Sequence, residues 1–256
     1  MNVADFDAAA SDYDQTFTHT TVGKAQRERV WHYLRQLPIK AGSKVLEVNC
    51  GTGEDAKRWQ ENGFSVIASD LSPQMIALAQ SKHPEIDFRV LNLLELDQLS
   101  NEPQTIFSNF GGLNCLPASD LKVFFQKASD LLATNERVIC VLMGKKTAWD
   151  RWYLTLKGRF SKRNRRNTHE AVNVPVNGTM VSTWYYSPKE TIRLAHPYFE
   201  VEMLRPIGLF VPPSYMAPFF TRRKSMLRLL IWMDKRFSFS FLANRSDHYL
   251  LSLKKR

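Results

Sequence analysis

The chain has 256 residues, 44% hydrophobic and 23% charged, enough to bury one large core, and no stretch approaches the roughly 18 uninterrupted apolar residues of a membrane-spanning helix. Its net charge of +10 is uneven: residues 1–144 carry 13 Lys and Arg against 18 Asp and Glu, residues 145–170 carry 9 against 2, and residues 222–256 carry 10 against 2. The acidic start (Asp5, Asp7, Asp12, Asp14) is unlike a secretory signal, and the three cysteines (Cys50, Cys115, Cys140) lack metal-ligand spacing, so the sequence reads as a cytoplasmic protein with reduced thiols and no metal site.

From Lys44 short apolar runs alternate with helical segments. Val45–Val48 precedes a helix from Glu54 to Asn62, Ser65–Ala68 precedes one from Pro73 to Lys82, and Asp87–Leu91 and Thr105–Ser108 follow. A helix from Ser119 to Ala133 then leads to Arg137–Met143. Strands alternating with helices, with a polar break around Asn101 to Pro103, predict βαβ units and a parallel sheet. Ser72-Pro73 and Ser119-Asp120 have the composition of helix N-termini, and Gly63 that of a C-terminal stop. After Met143 the rhythm breaks for about forty residues. Within them Trp149, Trp152, Tyr153, Leu156 and Phe160 recur at helical spacing, and Val172–Tyr186 reads as two strands around Asn177-Gly178. Ser187-Pro188 opens another helix, and Phe199–Leu204 and Tyr249–Leu253 supply closing strands.

The turn after the first strand carries the functional signal. In Glu47-Val-Asn-Cys-Gly-Thr-Gly53 the glycines let the backbone turn sharply and approach a ligand at a helix N-terminus. Gly51-Thr-Gly-Glu-Asp-Ala56 also fits a dinucleotide fingerprint, and Asp70, ending the second strand, suits a ribose hydroxyl in either case. A pyrophosphate there would meet Glu54 and Asp55, with Glu47 close by and no Lys or Arg near in sequence. S-adenosylmethionine has no phosphate and carries a sulfonium and an ammonium, so the same carboxylates favour it.

Val45–Gly53 resembles the first motif of class I S-adenosylmethionine-dependent methyltransferases. Asp70 matches the acidic residue of the ribose diol, Leu91-Asn92-Leu93 the adenine turn, and Ile106–Asn114 the fourth-strand motif beside the methyl group. Phe6-x3-Ala10-x2-Tyr13-Asp14 is similar to the lid helix of the small-molecule enzymes of quinone and biotin biosynthesis. Asn49 stands where the family usually has its first glycine, and Asn92 where it usually has aspartate. The resemblance implies a Rossmann-like, doubly wound, mostly parallel seven-stranded sheet with an antiparallel last strand and an inserted substrate cap. It divides the chain into N-terminal lid helices (1–40), a cofactor-binding core (41–144), the cap (145–186) and closing helices and strands (187–256). It implies a cofactor site of Tyr13, Glu47, Asn49, Gly51, Gly53, Asp70, Leu71, Asn92, Leu93 and Asn109, holding S-adenosyl-L-methionine or its product S-adenosyl-L-homocysteine.

The expected reaction is in-line methyl transfer to a small acceptor, where alignment can supply about 7–11 kcal/mol. A general base is optional, and His19, His169 and His196 are the candidates. The segment Asn-Pro-Pro-Tyr, typical of many amide and nucleobase amino methyltransferases, is absent at Asn109. In the cap, Trp149, Trp152, Tyr153 and Phe160 are expected to line an apolar pocket, with Lys162, Arg163, Arg165 and Arg166 meeting an acidic head or an anionic membrane. Arg222–Phe241 repeats the aromatic and basic combination, and an acidic, aromatic or lipid-like acceptor is expected. The alternatives are a nicotinamide-dependent oxidoreductase and a non-catalytic binding module on the same fold. No RNA-binding module is appended, which argues against a nucleic-acid partner. The sequence leaves the oligomeric state open.

Overall fold

The computed structural model describes residues 10, 13–99, 103–176 and 178–256. Phe6 of the lid motif and Asn177 of the hairpin turn lie outside them. The first described elements are a π-type turn, α1 (Asp14–Thr18), and a helix, α2 (Thr21–Leu34). The alternating region follows as β1 (Lys44–Val48), α3 (Glu54–Glu61), β2 (Ser65–Asp70), α4 (Pro73–Lys82), β3 (Asp87–Val90), β4 (Thr105–Ser108), α5 (Ala118–Leu131) and β5 (Arg137–Met143). Beyond it come α6 (Ala148–Leu156), the hairpin β6 (Val172–Val176) and β7 (Thr179–Thr183), and α7 (Pro188–Ala195). The chain closes with β8 (Phe199–Ile207), α8 (Ala217–Thr221), α9 (Lys224–Arg236) and β9 (His248–Lys255).

The seven-stranded sheet has the order β3-β2-β1-β4-β5-β9-β8. The pairs from β3 to β5 are parallel, and β9 runs antiparallel between β5 and β8, as the sequence predicts. Both faces are buried, so the strands are apolar on each side of the pleat. Val45, Phe107, Ile139 and Val141 face α2 and Trp59, while Leu46, Ile106, Val138 and Leu142 face α5. Strand order reverses between β1 and β4, and a crevice opens beyond the carboxyl ends of the strands there, where open α/β sheets bind ligands.

Local signals set most helix ends. The Ser72 hydroxyl accepts from the Met75 N–H at 3.1 Å, with Pro73 opening α4, and Ser187 and Glu190 form a reciprocal capping box on α7. Gly63, at φ +83°, follows α3 as expected. The helix read from Ser119 instead starts at Ala118, with Pro117 at its cap. The amphipathic run after Met143 also ends early: α6 stops at Leu156 before Gly158, and Phe160 lies in a separate 3-10 turn. No helix among the described residues is long and apolar enough to cross a membrane.

Candidate cofactor and substrate cleft

The loop leaving β1 enters left-handed backbone three times, at Asn49 (φ +56°), Gly51 (+53°) and Gly53 (+82°). Asparagine is among the few side-chain-bearing residues that adopt this conformation readily. Its amide oxygen accepts from the Ser108 hydroxyl at 3.1 Å, which ties the β1 loop to the end of β4. Gly53 is the N-cap of α3, and a Cβ on it would lie 2.7 Å from Phe88 Cζ and 3.3 Å from Ala79 Cβ. The missing side chain there lets α3 pack against β3 and α4.

Asp70 holds the other side of the loop. Its carboxylate accepts from the Gly51 N–H at 2.9 Å and the Ser72 N–H at 3.0 Å, fixing the β1 and β2 turns against one another. The crevice beside them encloses about 770 Å³, and Tyr13, Asn49, Gly51, Asp70, Leu71 and Asn109 line it. The other four predicted cofactor residues do not reach its wall. Gly53 turns into packing, and Leu93 is buried in the core. Asn92 accepts from the Leu94 N–H at 3.0 Å and so caps the 3-10 turn Leu93–Gln98. Glu47 lies in β1 beneath the loop.

The carboxylates are less alike than their crowding in sequence suggests. Lys82 Nζ donates to Asp14, 2.7 Å away, and to Glu54, and the Thr52 hydroxyl donates to Asp14 at 2.7 Å, so the N-terminal segment is pinned over the glycine loop. Asp55 is 4% exposed and accepts from Arg27 at 2.9 Å, the Trp31 indole at 2.7 Å and the Asn109 amide at 2.8 Å. Lys82 and Arg27 thus supply the compensation that is missing nearby in sequence. Glu47 differs from both: it is 2% exposed and its Oε2 has no hydrogen-bond partner. Burial, and then Asp55, push its carboxyl well above the ordinary carboxylate range, against the pull of Arg27. Among the described residues that line the crevice, Asp70 is the carboxylate beside the glycine loop, and Arg165 and Arg166 come from the segment after α6. The pairing of Asp14, Glu54 and Asp55 with Lys82 and Arg27 removes most of the repulsion that the sequence predicts for a phosphate, so the charge argument for a cationic ligand rests on Glu47, buried beneath the loop with one oxygen unpartnered.

Phe17 and Phe110 continue the wall, in edge contact at 5.1 Å between centroids. Phe110 itself adopts φ +45°, held by a hydrogen bond from its N–H to the Asn109 side chain at 2.9 Å. Backbone strain of this kind, on the order of 1–3 kcal/mol, concentrates at functional loops. Further lining comes from the β6–β7 hairpin, including Val174 and Val181, from Trp184 and Tyr185 just after it, and from Pro213–Tyr215.

The aromatic residues read as pocket-lining lie elsewhere. Trp149 packs on Phe220, Tyr153 on Tyr215, and Trp152 and Phe160 are more than half exposed. Of the basic residues, Arg165 and Arg166 do reach the cleft. Arg166 is 6% exposed and bonds Asp150 and Asp247, each at 3.0 Å, so it is a buried structural ion rather than part of a solvated basic face.

Sequence reading missed the histidine that lines the cleft. His248, 7% exposed, opens β9 with its Nδ1 3.2 Å from Asp247 Oδ2 and its ring edge-on to Phe110. Burial alone would raise Asp247, yet His248 and Arg166 hold it below the ordinary carboxylate range. His19, His169 and His196 are all exposed. His19 sits within 4.8 Å of Asp14 and Glu54, where Lys82 already bridges the two acids. His169 lies 3.3 Å from Lys145, and His196 ends α7. Arg27 and the pair Asp247–His248 belong to no local motif; their partners lie far along the chain.

Residues 45–135 match a protein-family model described as a methyltransferase domain. The chain is 30% identical over 108 residues to demethylmenaquinone methyltransferase of Renibacterium salmoninarum, covering 41% of this chain and 44% of that one. It is 35% identical over 78 residues to malonyl-[acyl-carrier protein] O-methyltransferase of Pectobacterium atrosepticum, covering 30% and 28%. The chain therefore spans less than half the length of these relatives. An S-adenosylmethionine-dependent methyltransferase from Mesorhizobium loti shares the fold at a TM-score of 0.56 and 18% identity, over 88% of this chain and 97% of that one. By sequence, residues 45–135 are thus similar to methyltransferase domains, and the chain as a whole shares the fold of S-adenosylmethionine-dependent methyltransferases.

Proposed function

We propose that the protein transfers a methyl group from S-adenosylmethionine to a small acceptor seated between the β4 loop and the β6–β7 hairpin. The observation that carries this reading is the crevice at the strand-order reversal, with Asn49, Gly51 and Asp70 in its lining together with aromatic and basic side chains. When bound, the cofactor supplies a methyl group already activated on sulfonium, so the protein's task is alignment and exclusion of water. Asn49, Gly51, Asp70 and Leu71 would hold the adenosyl part, and Tyr13 and Phe17 would close over it from the N-terminal segment. Glu47 would offset the ligand's positive charge from below. His248, which lines the cleft beside Asp247, would be the side chain that takes a proton from an acceptor hydroxyl or amine.

The acceptor wall favours an apolar or aromatic body with an acidic group. Val174, Val181, Trp184 and Tyr185 offer the apolar contact, and Arg165 the charge. A peripheral contact with anionic membrane is a second reading. It is supported by Trp152, Leu156 and Phe160, exposed by 55, 66 and 58%, beside Lys157, Arg159 and Lys162, and by exposed Leu229 and Trp232 on α9 near Arg228 and Arg236. Cosedimentation with phosphatidylglycerol vesicles tests it, and no binding at low salt would remove it.

Calorimetric titration with S-adenosylhomocysteine and with NAD(H) or NADP(H) tests the main reading. Binding of the first and not of the nicotinamides is expected; the reverse would favour the oxidoreductase. Incubation with methyl-labelled cofactor and a metabolite extract then separates an enzyme from a binding module, because a module would bind the cofactor without labelling any product.

A further inference from the structure

A second cavity, of about 310 Å³, opens at the N-terminus of α6 and is strongly basic. Lys145 and Arg166 in its wall have carboxylate partners, Glu190 for the first and Asp150 and Asp247 for the second. Lys146, Arg151, Arg163 and Arg245 also line it, and none forms an ion pair among the described residues. The acid in the wall, Asp150, has its oxygens taken up by Arg165, Arg166 and the Tyr215 hydroxyl. All four are exposed, so water screens them in part, but their like charge gathered on one polar cavity favours an anion there.

The helix end is built to match. Thr147 is the N-cap of the nine-residue α6, but its hydroxyl does not cap the helix. Thr147 is 1% exposed, lines the cavity, and its Oγ1 has no hydrogen-bond partner. A buried hydroxyl left unpaired costs stability, and a threonine placed to cap a helix normally uses its oxygen for that purpose. The first-turn N–H groups of a helix likewise lack partners within it and carry partial positive charge. Hydroxyl, helix N-terminus and guanidinium forks together supply the donors that a phosphate group recruits.

We infer that this cavity binds a phosphate or diphosphate group, carried by a phosphorylated small molecule or by an anionic lipid headgroup. The site is distinct from the cofactor crevice and independent of the methyl-transfer reading. Arg166 lines both cavities, so an occupant here would rest against one wall of the acceptor site.

Calorimetric titration of the full chain with inorganic pyrophosphate, at ionic strength held constant with chloride, tests the inference. S-adenosylhomocysteine binding measured on the same samples monitors the other site. Substituting Arg151→Gln, Arg163→Gln and Arg245→Gln together is expected to weaken pyrophosphate binding at least tenfold. Thr147→Val, which keeps the volume and removes the hydroxyl, should weaken it several-fold. An α9 control, Arg228→Gln with Arg236→Gln, should leave it unchanged. Absence of pyrophosphate binding to the unsubstituted protein, or an equal loss in the α9 control, would overturn the proposal. Competition by phosphatidic acid vesicles would identify a headgroup as the source, and its absence alongside pyrophosphate binding a soluble phosphorylated ligand.

Discussion

Gly112 makes room for Asn49: a Cβ on Gly112 would lie 2.4 Å from both Cβ and Cγ of the asparagine. The departure of the β1 loop from the family's usual glycine is thus matched across the crevice by a residue without a side chain, and Ser108 completes the match through its hydrogen bond. Gly112→Ala should therefore destabilise the protein by about 2–3 kcal/mol, in the range of overpacked sites. Asn49→Gly should cost only about 1 kcal/mol, since it loses one hydrogen bond but suits the left-handed backbone. The double variant should recover most of the Gly112→Ala loss. Urea denaturation of the four proteins measures the coupling, and additive losses would contradict the steric account.

Arg27 and Asp55 join α2 to the start of α3, with side chains 14% and 4% exposed. Removing one member of such a pair leaves the other charged and poorly solvated, at a cost of about 3–5 kcal/mol. Arg27→Met should also raise the Glu47 carboxyl further, because Arg27 is the group that opposes its burial. The expected result is a lower urea midpoint with weaker S-adenosylhomocysteine binding. A variant as stable as the parent would show that the Trp31 and Asn109 hydrogen bonds satisfy Asp55 unaided.

The parallel sheet and glycine loop were legible because they are local. Apolar runs of strand length, Gly51, Gly53 and Gly63, and the cap Ser72-Pro73 each act through neighbours a few residues away. The cleft's far wall was not legible, because its residues meet across long separations: Arg166 reaches Asp247 over 81 positions, and Tyr215 reaches Asp150 over 65. Helical periodicity after Met143 was real but could not say what the apolar face covers. Trp149 was free, on sequence grounds, to face a pocket, and it packs on Phe220 from a later helix. The same limit applies to charge: Lys82 and Arg27 reach the loop's acids only through tertiary folding.

Glu47 should make ligand affinity depend on pH. Its carboxyl is held well above the ordinary range by burial first and Asp55 second, and only the ionised form attracts the ligand's ammonium or sulfonium. Affinity should therefore rise with pH above the range where a solvated glutamate has finished titrating. Glu47→Gln should weaken S-adenosylmethionine binding several-fold, as expected for loss of an attraction that acts through the loop rather than by contact, and flatten that dependence. Titrations at several pH values decide the matter; an unchanged slope in the variant would remove Glu47 from the binding machinery.

If His248 accepts the acceptor's proton, His248→Gln should lower kcat by about 10²–10⁴-fold, the range of general-base effects, and leave cofactor affinity within twofold. Asp247→Asn should reduce kcat less and also disturb Arg166, which Asp247 holds at 3.0 Å. The pH–rate profile distinguishes proton transfer from mere packing: the limb due to the base should vanish in His248→Gln. A variant with the parental profile and rate would leave the acceptor to react unaided.

Asp234 on α9 lends the fold a pH dependence of its own. Its carboxylate accepts from the Phe210 N–H at 2.7 Å and the Val211 N–H at 3.3 Å, tying α9 to the segment after β8. Burial nevertheless raises its pKa to about 6, outweighing those bonds and the nearby Arg29. An acid whose folded pKa exceeds its unfolded value of 3.8 binds more protons when folded throughout the interval between them. Its stabilising contribution is therefore complete below pH 4 and is lost as pH rises through 6, up to about 3 kcal/mol for two pH units. Carboxyls held low, such as Asp14 and Glu190, contribute the opposite slope, and mainly below pH 4.5. The difference between parent and Asp234→Asn isolates the group. Urea midpoints from pH 4 to pH 7 should show the variant gaining on the parent as pH rises. Parallel curves would mean that Asp234 ionises in the folded protein as it does in water.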